Sequence, residues 1–238
     1  MIQLSKRLQA VADLIMEDGI LADIGTDHGY IPIYLIQQNK IRGAIAADVR
    51  KGPLLRAKEH IVRYGLGDYI ETRLSDGAME FQPKEADIFV ISGMGGGLMQ
   101  KILNQSQEVF AEAKEVILQP QSEICQLRHY LIENHWQIAA EDMVEEDGKY
   151  YPMMRVLPKV KSCQNYEELD FLYGAYLLRE GHPVLLKFLL REERIYGNLL
   201  EELSRIPENE GIKRRRAEIS LKREQTKEAL QTYFADKI

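Results

Sequence analysis

Leu21-Ala22-Asp23-Ile24-Gly25-Thr26-Asp27-His28-Gly29-Tyr30 decides the fold of this 238-residue chain. Residues 20–25 read as a β-strand, and a helix is predicted from near Gly29 to about residue 39. Between them, Gly25 and Gly29 permit a tight turn and a close approach to the backbone. Upstream, Leu4, Leu8, Val11 and Ile15 recur at three- and four-residue spacing, so 4–16 is predicted as an amphipathic helix. Downstream the alternation continues. Strands are predicted at 43–48, 69–74, 86–92 and 115–120, and helices at 54–64, behind Pro53, and up to about residue 134. The runs 86–92 and 115–120 are almost wholly apolar, which suits central strands covered on both faces. Segments 136–144 and 150–157 flank Asp147-Gly148, a favoured hairpin turn. Five strand–helix units followed by a hairpin predict an α/β fold. Its sheet is doubly wound and mostly parallel, with right-handed crossovers.

Ligands of such sheets bind beyond the carboxyl ends of the strands. The first end carries Asp23 and Asp27 in its glycine turn. A dinucleotide pyrophosphate needs the G-x-G-x-x-G pattern, whose middle glycine is missing here, and two carboxylates would repel it. They suit a cationic ligand, such as S-adenosylmethionine with its sulfonium and ammonium groups. The second end carries Asp48, 25 residues past Asp23, where a carboxylate can accept both ribose hydroxyls. The third is Ser75-Asp76-Gly77, whose Asp can receive an adenine amino group. The fourth is Gly93-Met94-Gly95-Gly96-Gly97, read as a close approach to cofactor or substrate with Met94 as a soft wall. The fifth is Gln119-Pro120-Gln121. Taken singly these are turn residues. Their co-occurrence on five strand ends points to a Rossmann-like sheet that binds S-adenosylmethionine.

The net charge is −6, which marks no obvious polyanion binder. Of 31 Lys+Arg and 37 Asp+Glu, 15 and 14 lie from Lys159 onward. That leaves 16 and 23 in the body, so the tail is +1 and the body −7. No run approaches the ~18 apolar residues of a membrane span, and the amino terminus lacks the features of a signal peptide. The expected location is the cytoplasm. Cys125 and Cys163 read as two reduced thiols, and no His/Cys spacing predicts a metal site.

After Pro158 the β-signals stop. Leu185, Leu189, Glu192, Tyr196, Leu199, Leu203 and Ile206 form a heptad seam with one polar intruder. Residues 207–211 break it, and Ile212, Ile219, Thr226 and Tyr233 then recur every seven, with Leu230 on the same face. Two domains are therefore expected: a Rossmann-like body, 1–160, and an antiparallel coiled-coil hairpin, 161–238. The hairpin either protrudes or packs on the body. A monomer is expected, although such a seam closes equally well across two chains.

Asp23 to Pro32, Lys51-Gly52-Pro53, Asp76-Gly77, Gly93-Met94-Gly95-Gly96 and Leu118-Gln119-Pro120, with the Leu4-Ser5-x-Arg7-Leu8 opening and a heptad tail, resemble the bacterial tRNA adenine-22 N1-methyltransferases. The resemblance covers almost the whole chain. It implies a class I methyltransferase fold and methyl transfer from S-adenosylmethionine to N1 of an adenine in the tRNA D-arm. The cofactor would meet Asp23, Gly25, Asp27, Gly29, Asp48, Asp76, Gly77, Gly93 and Met94. No Asn/Asp-Pro-Pro-aromatic loop follows strand four, which argues against methylation of an amino group. N1 has an in-plane lone pair, so alignment is enough and no strong base is required. Tyr30 is expected to border the target base, with Asp27 or His28 orienting base or cofactor. Lys6, Arg7, Lys51, Arg56 and Lys213-Arg214-Arg215-Arg216 are the expected phosphate contacts. The rival readings are a methyltransferase acting on another substrate, a non-catalytic RNA-binding protein of the same fold, and a nicotinamide dehydrogenase.

Overall fold

A computed structural model describes residues 1–158 and 165–237. Cys163 and the expected boundary at 160/161 lie outside the described residues. The chain divides into two compact units, Met1–Asn165 and Tyr166–Ile238.

The first unit is built on one seven-stranded sheet of order β3-β2-β1-β4-β5-β7-β6. Its strands are β1 (Ile20–Ile24), β2 (Gly43–Asp48), β3 (Ile70–Leu74), β4 (Ile88–Met94), β5 (Glu115–Pro120), β6 (Gln137–Glu146) and β7 (Lys149–Leu157). The first five strands are parallel, and β7 runs antiparallel to both β5 and β6. Helices α1 (Lys6–Asp13), α2 (Tyr30–Gln37), α3 (Lys51–Arg63), α4 (Gly96–Gln105), α5 (Gln107–Phe110) and α6 (Ile124–Glu133) complete the unit. The middles of the central strands are buried: Leu21, Ile88, Phe89, Val90, Ile91, Ile117 and Leu118 are inaccessible to solvent. The chain winds outward from β1 to β3, then returns to β4 and winds the other way. The switch point therefore lies between β1 and β4, and a crevice opens at their carboxyl ends.

Two local expectations differ from the structure. The strand–helix alternation implied a helix between β3 and β4, but residues 75–87 form turns. Gly77 adopts φ +60° there, Lys84 adopts φ +69°, and Pro83 stands among them, so no helical run can start. The first helix is shorter than 4–16. The Ser5 hydroxyl accepts from Leu8 N and starts α1 two residues late. Its far end is cut short where the buried Glu115 carboxylate accepts from Met16 N at 2.9 Å and Glu17 N at 3.0 Å.

In the second unit, α7 (Glu168–Tyr173) and α8 (Ala175–Arg179) precede the long helices α9 (Pro183–Ser204) and α10 (Glu210–Tyr233). Arg223 bonds Glu193 at 2.7 Å and Arg216 bonds the Leu203 carbonyl at 2.8 Å, so α9 and α10 run antiparallel, as the short turn at 207–211 requires. Leu185, Leu189, Ile219, Thr226, Ala229 and Leu230 are buried, whereas Leu203, Ile206 and Ile212 near the turn keep solvent contact. The base of the hairpin is thus a small helical core and its tip is two helices alone. Among the described residues, no helix is long and apolar enough to cross a membrane.

Candidate active site

Two clefts open at the switch point and share Gly25, Ser92 and Gly93 in their walls. One, about 250 Å³, is lined by Asp48, Arg50, Asp76, Gly77, Met94 and Leu98, among others. The other, about 350 Å³, is lined by Arg7, Asp23, Asp27, His28, Tyr30 and Gln121, among others. A larger hollow of about 420 Å³ beside Leu103, Tyr130 and Trp136 lies away from these strand ends and has neither an acid nor a glycine in its lining.

Asp23 comes from β1 and is only 5 % exposed. Burial raises its carboxyl from 3.8 to about 6; a hydrogen bond from Thr26 opposes the rise, and the nearby Asp48 adds to it. After β1 the chain turns at Gly25, φ +77°, and both Gly25 N and Thr26 N donate to the Ala47 carbonyl. A side chain at Gly25 would fall on the tip of Met94, with 2.0 Å from Cβ to Cε. Thr26 Oγ1 then accepts from Gly29 N at 3.2 Å, and Gly29, φ +67°, starts α2.

The loop 27–30 is held from α3. Asp27 is bonded by the Arg56 guanidinium on one oxygen and lies 3.2 Å from His28 Nε2 on the other. Arg56 holds the Asp27 carboxyl below the usual carboxylate range. His60, one turn beyond Arg56, places Nδ1 3.1 Å from the His28 carbonyl. The rings of His28, Tyr30 and His60 are mutually stacked, with centroids 4.9–5.3 Å apart. Arg56 and Asp27 were both expected at the site, but as separate functions, and their pairing was not. His60 was missed altogether. Its only sequence signal is the i,i+4 spacing from Arg56 on one helix face.

Asp48 ends β2, 8 % exposed, and accepts from Arg50 N at 2.7 Å. Asp76 and Gly77 follow β3, where the Ser75 hydroxyl donates to the Gly77 carbonyl. Gly93 is the extra residue of a bulge, because the β4–β5 register shifts between Ser92 and Met94. Its φ of +77° turns its N–H toward Gln119 Oε1 at 3.2 Å. The remaining glycines answer a different need from the one read in the sequence. A Cβ at Gly96 would stand 2.6 Å from the Glu123 carbonyl oxygen and 2.8 Å from that of Ser122. At Gly95 it would meet the Ser122 hydroxyl at 2.9 Å. The protein's own loop after β5 therefore demands Gly95 and Gly96, while Gly93 alone of the run faces both clefts.

The expected phosphate contacts divide. Arg7 lines the larger cleft, whereas Lys6 bonds the Glu145 carbonyl at 3.0 Å. Lys51 is exposed at the start of α3. In the tail Lys213 pairs with Glu210, Arg215 with Glu218, and Arg216 with Glu208. Arg214 has no ion-pair partner among the described residues.

A family model described as a methyltransferase domain matches residues 4–154. The tRNA (adenine(22)-N(1))-methyltransferase of Bacillus subtilis (strain 168) is 33 % identical over 233 residues, covering 96 % of this chain and 98 % of that protein. The chain belongs to the tRNA (adenine(22)-N(1))-methyltransferase family. Among solved structures of the family, the B. subtilis m1A22 tRNA methyltransferase TrmK superposes with a TM-score of 0.84. It is 32 % identical, over 97 % of this chain and 100 % of that one. M. capricolum TrmK, solved with the cofactor product S-adenosyl-homocysteine, gives a TM-score of 0.83 at 28 % identity, over 97 % and 99 %.

In this family member the buried Asp23 has a measurable cost. A carboxyl at about 6 in the folded chain and 3.8 unfolded binds its proton more tightly when folded. Asp23's own contribution to the stability of the ligand-free protein is therefore lost as pH rises from about 4 to 6 and is not recovered above. Asp23→Asn keeps the shape without the charge. At pH 8 the ligand-free variant should exceed the parent in stability by on the order of 2 kcal/mol in urea denaturation, with the gap narrowing toward pH 4.5. A variant less stable at pH 8 would contradict this account.

Proposed function

We propose that this chain transfers a methyl group from S-adenosylmethionine to N1 of the adenine at position 22 in the D-arm of tRNA. The observation that carries the proposal is the pair of acid-bearing clefts that meet at Gly25 and Gly93. The donor set fits the cofactor. Asp48, buried and already accepting from a backbone N–H, suits a ribose diol, and Asp76 suits an adenine amino group. Asp23 suits the ammonium group, and a cation there would reverse the cost of its burial. Gly25, Gly29, Gly77 and Gly93 bring bare backbone to the cleft walls, and Met94 forms an apolar wall. Bound there, the cofactor supplies a methyl group activated by the sulfonium.

Target-base recognition falls to the loop 27–30. Tyr30 borders the base and gives it a stacking face once it leaves the RNA stack, a step that costs a few kcal/mol. Asp27, kept ionised by Arg56, accepts from the exocyclic amino group and so orients N1. His28 backs Tyr30 through ring stacking. No side chain need remove a proton before N1 reacts. Methyl transfer from labelled S-adenosylmethionine to bulk tRNA lacking the modification should yield N1-methyladenosine. Tyr30→Ala should lower kcat/KM by about tenfold or more, the value of one base–aromatic stack. Full activity in Tyr30→Ala would remove Tyr30 from the site.

The phosphate backbone would be met by Lys6 and Lys51 on the body and by Lys213, Arg214, Arg215 and Arg216 on the tail, taken as a separate RNA-contacting domain. The reaction belongs in the cytoplasm, with the enzyme acting as a monomer. Several tail cations are already paired with glutamates, and RNA would compete for them. Changing Lys213, Arg214 and Arg215 together to Gln should weaken tRNA binding by about tenfold at 0.15 M salt and flatten its salt dependence. S-adenosyl-homocysteine binding should not change. Undiminished tRNA binding would remove the tail from the RNA contact.

A further inference from the structure

One turn of α3 touches every residue of the loop 27–30. The Arg56 guanidinium bonds Asp27. Gly29 lies against Ala57, where a Cβ added to the glycine would stand 3.5 Å from the Ala57 Cβ. His60 places Nδ1 3.1 Å from the His28 carbonyl, and its ring stacks with those of both His28 and Tyr30. Positions 56, 57 and 60 share one face of the helix, so a single rigid element meets the loop at four points. Asp27, His28, Gly29 and Tyr30 all line the larger cleft, whereas Arg56 and His60 stand behind them and line neither cleft. Neither nitrogen of His28 is turned to a ligand. Its Nε2 faces Asp27 at 3.2 Å, and its Nδ1 is shut off from solvent with no hydrogen-bond partner among the described residues.

The Arg56–Asp27 pair is about half exposed, and an ion pair in that setting adds little to the stability of a fold. What it does fix is the direction of the Asp27 carboxylate. His60 fixes the Tyr30 ring in the same way, by stacking on it and by holding the His28 backbone beside it. Methylation of N1 depends on the alignment of N1, methyl carbon and sulfur, and a misplacement of about 1 Å can cost about 100-fold in rate. A base received by a loop free to drift would lose that alignment. We propose that Arg56 and His60 are positioning residues for the methyl transfer: from α3 they aim Asp27 and Tyr30 at the target adenine, and neither touches RNA or cofactor. This replaces the phosphate role expected for Arg56 from sequence, and it rests on the methyltransferase reading above.

Three measurements on the full chain test it: the single-turnover methylation rate at saturating tRNA, tRNA affinity with its salt dependence, and S-adenosyl-homocysteine affinity. Arg56→Gln should slow the single turnover about tenfold and leave both affinities within about twofold, with the salt slope unchanged. His60→Ala should do the same. His60→Phe keeps a ring beside Tyr30 and should recover part of the loss. Coupling is the decisive readout. Added to Asp27→Asn, Arg56→Gln should slow the reaction by less than about twofold more, and so should His60→Ala added to Tyr30→Ala. A loss as large in those backgrounds as in the parent would overturn the proposal, because α3 would then act through something other than Asp27 and Tyr30. An unchanged rate with weaker tRNA binding and a flatter salt slope in Arg56→Gln would overturn it in favour of a phosphate contact. If His60→Ala does not fold, His60→Phe and the Arg56 cycle carry the test. A parent protein that transferred no methyl group to tRNA would overturn the methyltransferase reading itself, and this proposal with it.

Discussion

A carboxylate buried at the end of a central parallel strand is unfavourable until a cation arrives. Asp23 is held there by the sheet: β1 lies between β2 and β4, and its neighbours are apolar and inaccessible. Asp48, close by on the next strand, adds repulsion. The ligand-free site is thus kept in an electrostatically unfavourable state by a rigid scaffold, as a preorganised binding site requires. The same acidity that repels a pyrophosphate selects a cationic cofactor, so charge separates this fold from the dinucleotide-binding relatives it resembles in topology.

Around that carboxylate the loops follow two separate rules. Gly25, Gly29 and Gly93 adopt left-handed backbone at the clefts: Gly25 makes way for the tip of Met94, Gly29 lies against Ala57, and Gly93 meets no close neighbour. Gly95 admits the Ser122 side chain and Gly96 the Ser122–Glu123 backbone, whose Ser122 carbonyl accepts from Gly96 N and ties the ends of β4 and β5 together. The loop 27–30, which has no regular structure until α2 begins, is braced by Arg56 and His60 across from α3. The loop 27–30 and the Gly93–Gly97 segment are therefore supported by different elements.

Much of this was legible in the sequence because it depends on local periodicity. Parallel strands buried on both faces read as apolar runs, and their carboxyl ends were identifiable by the polar or glycine residue that terminates each. The heptad seam of α9 and α10 was visible for the same reason. Contacts between distant segments were not visible. The Arg56–Asp27 pair spans 29 residues and the Arg7–Gln119 bond spans 112, and no spacing rule reaches so far. The run Gly93–Gly97 misled because glycine signals a close approach without saying whether ligand or protein approaches. The absent helix before β4 shows that alternation is a tendency which a Pro and two left-handed residues suffice to break.

The central claim is that Asp23 waits for a cation, and the proton it releases reports this directly. Binding of S-adenosyl-homocysteine should be titrated at pH 6 and pH 7.5 in buffers of different ionisation enthalpy. The account predicts release of a substantial fraction of a proton per ligand at pH 6, because the bound ammonium lowers a carboxyl that sits at about 6 in the free protein. Release should be much smaller at pH 7.5 and absent at pH 6 in Asp23→Asn. Binding at pH 6 with no linked proton, or with the same release in Asp23→Asn, would contradict it.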